Sequence, residues 1–537
     1  MKNKYKLYCG IIFLLILFSF IFRNLEITKY SSNNRFAELN NYNVSEEKKQ
    51  YLSNSEGKNN NYINDDFTVN DDFKSHLPII LIDLNENDIP DEYEYNEDTN
   101  SFELKDKADP YSIANMKIIN NKDRENNIYD TEEISSKIKI RYRGNTSITF
   151  AKKQYGIKLL DEDENECEKS ILGMEADEDW ILNISMSDPS LIRNYLALNI
   201  GGQVMEMTPE VRYCELIIKS GDSYEYKGLY LMMESVKKGQ GRVDISSYNT
   251  GDNYTSYLLR RDRYKDSEMI LKTEAALNEE CYGWMEVKYP SEKNINDDLY
   301  DYIYNDINNI EQIIYSDDDK IFNTYDRFID EDSFVDYFLI NEFFMNYDAG
   351  NNSTYLYMNA GDKLKIGPFW DFDLAVDNYS NEPANLKNIA FSSQAWFERL
   401  VNSKQFTKKL VKRYSELRKD IISEENIEGI IDDTVEYLGD AVERDYLRWQ
   451  SEYENLNIKS FYDENGILVH RNFISFEDEI HRVKDDLRIH GLYMKYRLAD
   501  LDNSNTAVYE NKRYTGLAIS FLVLFFCSVV IARRQYN

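Results

Sequence analysis

The apolar residues change their spacing part-way along the chain, and this change restricts the fold more than any other feature. In the N-terminal half, residues 77–82 form an unbroken apolar run, while 137–142 and 155–159 alternate with period two, as strands do. Residues 214–219 and 227–233 read as two more strands around the turn Ser220-Gly221-Asp222-Ser223. In the C-terminal half apolar positions recur every three and four residues over 299–314, 333–345, 403–422, 427–449 and 473–501, so helices are expected there. The expected fold class is α+β, with a β-rich N-terminal half, a helical C-terminal half and one strand pair inserted among the helices.

Two apolar runs bracket this body. Residues 7–22 follow Lys2, Lys4 and Lys6 and are closed by Arg23, and residues 515–532 lie between Lys512-Arg513 and Arg533-Arg534. The second reads as a transmembrane helix and the first as either a signal peptide or an uncleaved anchor, the anchor being favoured because no small-residue cleavage site follows it; together they predict a membrane protein with its main domain outside the cytoplasm. The expected organisation is an N-terminal membrane anchor over 1–30, a polar linker over 31–66, a folded domain over 67–505, a C-terminal transmembrane helix over 514–532 and a basic tail over 533–537.

Charge and residue type narrow the function. With 63 Lys and Arg against 96 Asp and Glu, the net charge is −33, which opposes docking on nucleic acid. The four histidines are His76, His470, His481 and His490, so no imidazole base or ligand exists between residues 77 and 469. Cys167, Cys214 and Cys281 show no C-x-x-C spacing, which leaves no metal knuckle or disulfide framework. An acidic stretch from Asp83 to Glu94 approximates a calcium loop, but Asp88 stands where Gly is needed and Pro90 interrupts it, so it reads as an acidic turn after a strand.

The inserted strand pair carries the chemistry. Residues 354–358 and 363–367 flank the polar turn 359–362, a β-hairpin whose open end holds Asp348 and Asn352 on one side and Asp371 and Asp373 on the other. Paired strands lie about 4.8 Å apart, so these four side chains are expected to converge. Three carboxylates and an amide repel one another without a cation, and an oxygen-only ligand set suits Mg²⁺ or Mn²⁺. A carboxylate left free of metal can orient a hydroxyl for phosphoryl transfer.

At this hairpin, Gly367-Pro-Phe-Trp-Asp-Phe-Asp-Leu-Ala375 and Asn346-Tyr-Asp348 resemble the CotH family, atypical secreted kinases of the spore-coat protein H type. Arg141-Tyr-Arg-Gly-Asn-Thr-Ser147, Ser190-Leu-Ile-Arg-Asn194, Lys227-Gly-Leu-Tyr-Leu-Met-Met-Glu234 and Val287-Lys-Tyr-Pro290 extend the resemblance in order over roughly 77–450. It implies an atypical protein-kinase-like fold, ATP with Mg²⁺ or Mn²⁺, and phosphorylation of Ser or Thr on secreted or spore-coat proteins. Carried over, Asp348 is the catalytic aspartate, and Asp371 with Asp373 holds the metal. Kinase catalytic loops place Asn five residues after the catalytic Asp; Ser353 stands there, so Asn352 is the expected second metal ligand. The loop around Arg143 is expected to hold phosphate, and Lys158 and Lys153 are rival phosphate-binding lysines. Glu234 either lines the nucleotide edge or caps its strand. Two other readings stay open: an inactive CotH-fold assembly protein of the spore coat or cell surface, and a scaffold whose acidic, Tyr-rich face binds proteins or glycans.

Overall fold

The computed structural model describes residues 35–44 and 63–502, save Ser185, Tyr282, the segments 98–100, 106–108, 249–251, 264–268 and 379–382, and most of 457–474. Among the described residues the N-terminal half holds the strands β1 (Ile79–Asp83), β2 (Tyr93–Asn96), β3 (Ser101–Leu104), β4 (Ser112–Ile119), β5 (Ile134–Tyr142), β6 (Tyr155–Leu160), β7 (Asp179–Asn183), β8 (Val211–Ser220) and β9 (Ser223–Glu234). Seven close a barrel in the order β1-β4-β5-β6-β7-β9-β8, with β8 returning parallel to β1 and every other neighbour antiparallel. The alternation seen in the sequence is what closes it. In β4, for example, Ala114, Met116 and Ile118 are buried while Lys117 points out. β8 and β9 are joined by the two-residue turn Gly221-Asp222, as expected.

The hairpin strands β13 (Thr354–Met358) and β14 (Lys365–Ile366) do not stand alone. They join β10 (Tyr257–Arg261), β11 (Ile270–Leu271) and β12 (Met285–Tyr289) in a five-stranded sheet of order β11-β12-β10-β13-β14. This is a difference from the expected isolated pair. Its cause is long-range pairing: β13 binds β10 with Arg261 opposite Thr354 and Tyr257 opposite Met358.

Behind the sheet lies the helix Glu331–Phe343, started by Asp330, whose side chain accepts from Ser333 N. It is buried on nearly all sides, with Phe334, Phe338 and Phe343 wholly enclosed. Of the amphipathic helices, Lys404–Leu417 and Phe476–Asp502 pack against it, Glu424–Leu438 packs on Phe476–Asp502, and Asp440–Glu454 packs on β9 of the barrel. The stretch 427–449, expected as one helix, is two: Gly439, at φ +45°, ends one and starts the next.

Two further expectations are corrected. Among the described residues no helix is long and apolar enough to cross a membrane, which overturns the reading of a membrane protein with a transmembrane helix at each end. The longest helix, Phe476–Asp502, carries Asp485, Asp486 and Arg488 in mid-length, and both apolar runs, 7–22 and 515–532, lie outside the described residues. Part of the supposed polar linker is packed: Ala37–Val44 form a helix, and Phe36 and Leu39 are fully buried. Arg35 anchors this segment by donating to the carbonyls of Pro209 (2.8 Å) and Glu206 (3.0 Å).

Candidate active site

The loop that follows the helix Glu331–Phe343 is built by its own amides and hydroxyls. Asn346 is fully buried, and its Nδ2 donates to Asn341 Oδ1 (3.1 Å) and to the carbonyl of Asp371 (3.0 Å), which ties the two acidic segments together. Asp348 accepts from Asn352 Nδ2 on one oxygen and from Ser353 Oγ on the other, both at 3.1 Å. The loop is clasped from behind. Arg261 Nη1 donates to Gly350 O (3.0 Å), Gln394 Nε2 to Tyr347 O (3.2 Å), and Ala395 N to Asn351 Oδ1 (3.0 Å). On the other side of the hairpin Asp371 adopts φ +58°, an uncommon backbone for a side-chain-bearing residue and one that clusters at functional sites.

Asp348, Asn352, Ser353, Asp371 and Asp373 line one cleft of about 680 Å³, together with Arg143, Lys158 and Asp262. The expected convergence of the hairpin's open end is therefore present at the level of a shared cleft. The register that sets Leu356 opposite Ile366 and Tyr357 opposite Lys365 carries Asn352 to the level of residue 370. Burial, then the neighbouring Asp373 and Asp348 charges, pushes the Asp371 carboxyl well above the usual carboxylate range. Asp373 is also raised, chiefly by burial, although hydrogen bonds from Asp371 and from Ser187 Oγ (2.8 Å) oppose the shift. Such a group ionises readily only beside a cation, and its donors are all oxygen. The donor set fits Mg²⁺ or Mn²⁺.

The sequence profile described as CotH kinase protein matches residues 140–478, well over half of the chain. This chain belongs to the CotH kinase family. No curated protein matches it in sequence. The matched stretch of this CotH protein begins within β5 and takes in most of the cleft lining, the five-stranded sheet and the helical half up to the start of the last helix.

The remaining candidates of the CotH chain separate clearly. Arg143 lies over the Trp370 ring (5.2 Å), donates to Gln154 Oε1 (3.3 Å), and is held below its ordinary pKa by burial. Beside it Gly144 sits at φ +110°, where a Cβ would fall 1.8 Å from Ser147 Oγ, so the loop depends on that glycine. Lys158 lines the cleft and pairs with Asp179 (2.9 Å) and Glu166 (3.3 Å). Its acidic partner thus sits on the neighbouring strand β7, opposite it in register, rather than on a helix. Lys153 lies outside the cleft lining: its Nζ donates to Ile148 O (2.8 Å) and stacks on Tyr142.

Glu234 also lies outside the cleft lining. It is buried, accepts from Arg242 and from Glu210 N (2.8 Å), and burial pushes its carboxyl up to about 7. Of the two readings offered for it, the geometry supports strand-end packing. Glu234→Gln is expected to cost about 1–3 kcal/mol of stability by weakening a buried charged hydrogen bond, with nucleotide affinity unchanged. Chemical denaturation and nucleotide titration on one preparation check both halves.

Sequence reasoning missed several supporting residues. Asn194 Oδ1 accepts from Phe372 N (2.6 Å), and buried Arg193 donates to Ala375 O (2.9 Å) and Val376 O (3.2 Å) while pairing with Asp188 and Glu479. These two residues hold the Asp371–Asp373 turn in place. They stood in a matched motif, but nothing in the sequence says what a motif 180 residues upstream touches. Asp262 and Ser187 carried no local signal at all.

Proposed function

We propose that this protein is a CotH-type kinase that transfers the γ-phosphoryl group of ATP to Ser or Thr hydroxyls of secreted or spore-surface proteins. The observation that carries the reading is Asp348 and Asp371 facing one cleft from either side of the hairpin. Asp348, kept in place by Asn352 and Ser353, orients the acceptor hydroxyl and takes its proton as the oxygen attacks the γ-phosphorus. The bond to the β-phosphate breaks and ADP leaves. Arg143 and Lys158 supply positive charge where the phosphate oxygens lie. Asp371, Asp373 and Asn352 would hold Mg²⁺ or Mn²⁺, which when bound neutralises charge on the phosphate oxygens.

A second reading, a CotH-fold binding or assembly protein without turnover, is favoured by one observation. Ser353 replaces the amide of kinase catalytic loops and occupies an oxygen of Asp348 with its own hydroxyl. The purified chain incubated with γ-labelled ATP, Mg²⁺ or Mn²⁺ and a Ser-rich peptide separates the two. Label transfer to the peptide or to the chain supports the kinase, and nucleotide binding without transfer supports the binding protein.

A further inference from the structure

We infer that Asp262 supplies a carboxylate ligand to the second divalent ion of the bound nucleotide, where the catalytic loop offers only the neutral Asn352 amide oxygen; the inference rests on the phosphotransferase reading above. Protein kinases hold two Mg²⁺ ions, one of them through the catalytic-loop asparagine. Here that position is Ser353, whose Oγ donates to Asp348, and the neighbouring Asn352, whose Nδ2 donates to the same carboxylate, leaves only its neutral Oδ1 for a cation. An anionic ligand has to come from another element that reaches the same end of the sheet.

β10 provides it. Its ladder with β13 pairs Arg261 with Thr354, so the next step along sets Asp262 level with Ser353, and both line the cleft. The carboxylates lining the cleft differ in what already holds them. Asp179 is bound by both Lys158 and Lys237 (each 2.9 Å), Asp373 by Ser187, and Asp348 by two donors. Asp262 Oδ1 accepts only the backbone N–H of Arg263 (2.7 Å). Its Oδ2 meets Arg260 at 3.9 Å, beyond hydrogen-bond reach, because the Arg260 guanidinium turns to Glu286 at 2.8 Å. Among the described residues Asp262 therefore offers an anionic oxygen to the cleft that no donor claims, where Asp179 does not. The five-residue spacing of the kinase loop is replaced by a cross-strand neighbour.

The test counts Mn²⁺ bound per full-length chain in the presence of ATP, from the loss of the free-ion paramagnetic resonance signal, in the wild type, Asp262→Asn and Asp371→Asn. The wild type is expected to take up two ions. Asp262→Asn is expected to weaken one of them about tenfold or more and leave the other unchanged, whereas Asp371→Asn loses nucleotide-dependent uptake. Two unchanged sites in Asp262→Asn, or a single site in the wild type, overturn the inference while leaving the kinase reading intact. No ATP-dependent Mn²⁺ uptake by the wild type overturns the kinase reading itself, and the inference with it. Thermal melting of each variant reports folding, and Asp262→Ser takes the place of the amide variant if that one does not fold.

Discussion

Asp348→Ala is expected to lower phosphoryl transfer by about 10²–10⁴-fold, the usual contribution of a positioned general base, with nucleotide and cation binding retained. Asp371→Ala is expected to abolish transfer as well, but by a different route, because it removes the carboxylate proposed to meet the cation. Nucleotide affinity separates the two failures, and equal loss of ATP binding in both variants contradicts the assignment of roles. Stability separates them again. Asp371 has its carboxyl raised above the unfolded value of about 3.9, by burial first and then by Asp373 and Asp348. The sign follows from linkage: a carboxyl that binds its proton more tightly when folded costs nothing at low pH, and the cost grows as pH rises through its folded pKa. At neutral pH without divalent cation, Asp371→Asn should therefore melt above the wild type. Added Mn²⁺ should raise the wild-type melting temperature and leave that of the variant unmoved. Melting curves with and without Mn²⁺ at two pH values decide it, and a variant that melts lower in the absence of metal refutes the electrostatic argument.

The same residues explain why part of this site can be read from sequence. Asp348 and Asp371 are joined by a hairpin whose two strand runs and polar turn fix the register locally, so their sharing one cleft is a short-range property of the chain. Asp262 reaches the cleft only because β10 pairs with β13 across some ninety residues, and no pattern within either strand names its partner. Lys153 and Lys158 are alike in composition; what divides them is that Lys158 faces the cleft opposite Asp179 while Lys153 folds back on Ile148. Glu234 ends an apolar strand, and its packing against Arg242 depends on a turn eight residues later. The helix at 37–44 was hidden by its own composition, since its polar residues suggest a tether, whereas Phe36 and Leu39 bury it against the body. In each case the local pattern was informative and the partner that completes it was remote.

His490 gives the second large effect, and it follows from donor counting. Its Nδ1 faces Leu386 O at 3.0 Å, and its Nε2 faces Glu342 O at 2.9 Å and Glu342 Oε1 at 3.1 Å. A neutral imidazole has one N–H, so one nitrogen lone pair would point at a carbonyl oxygen; only the imidazolium satisfies both sides. His490 and Glu342 are wholly buried, and the hydrogen bond and charge of Glu342 raise the histidine pKa against the opposing pull of burial. Around the pair stand Tyr414, which donates to Gly491 O, Arg418 beside Phe343, and Tyr347 near Glu342. A histidine whose folded pKa lies above its unfolded value of about 6.5 stabilises the fold fully below that pH, and loses the contribution as pH rises through the folded pKa. Wild-type stability should thus fall on the alkaline side. His490→Leu should cost about 3–5 kcal/mol at pH 6, since it leaves Glu342 buried without its cation, and the slope on the alkaline side should flatten. Because Glu342 lies one turn before the loop that carries Asp348, transfer activity should decline over the same pH range in the wild type. Denaturation measured from pH 6 to 9 on both proteins tests this, and parallel pH profiles would remove His490 from the explanation.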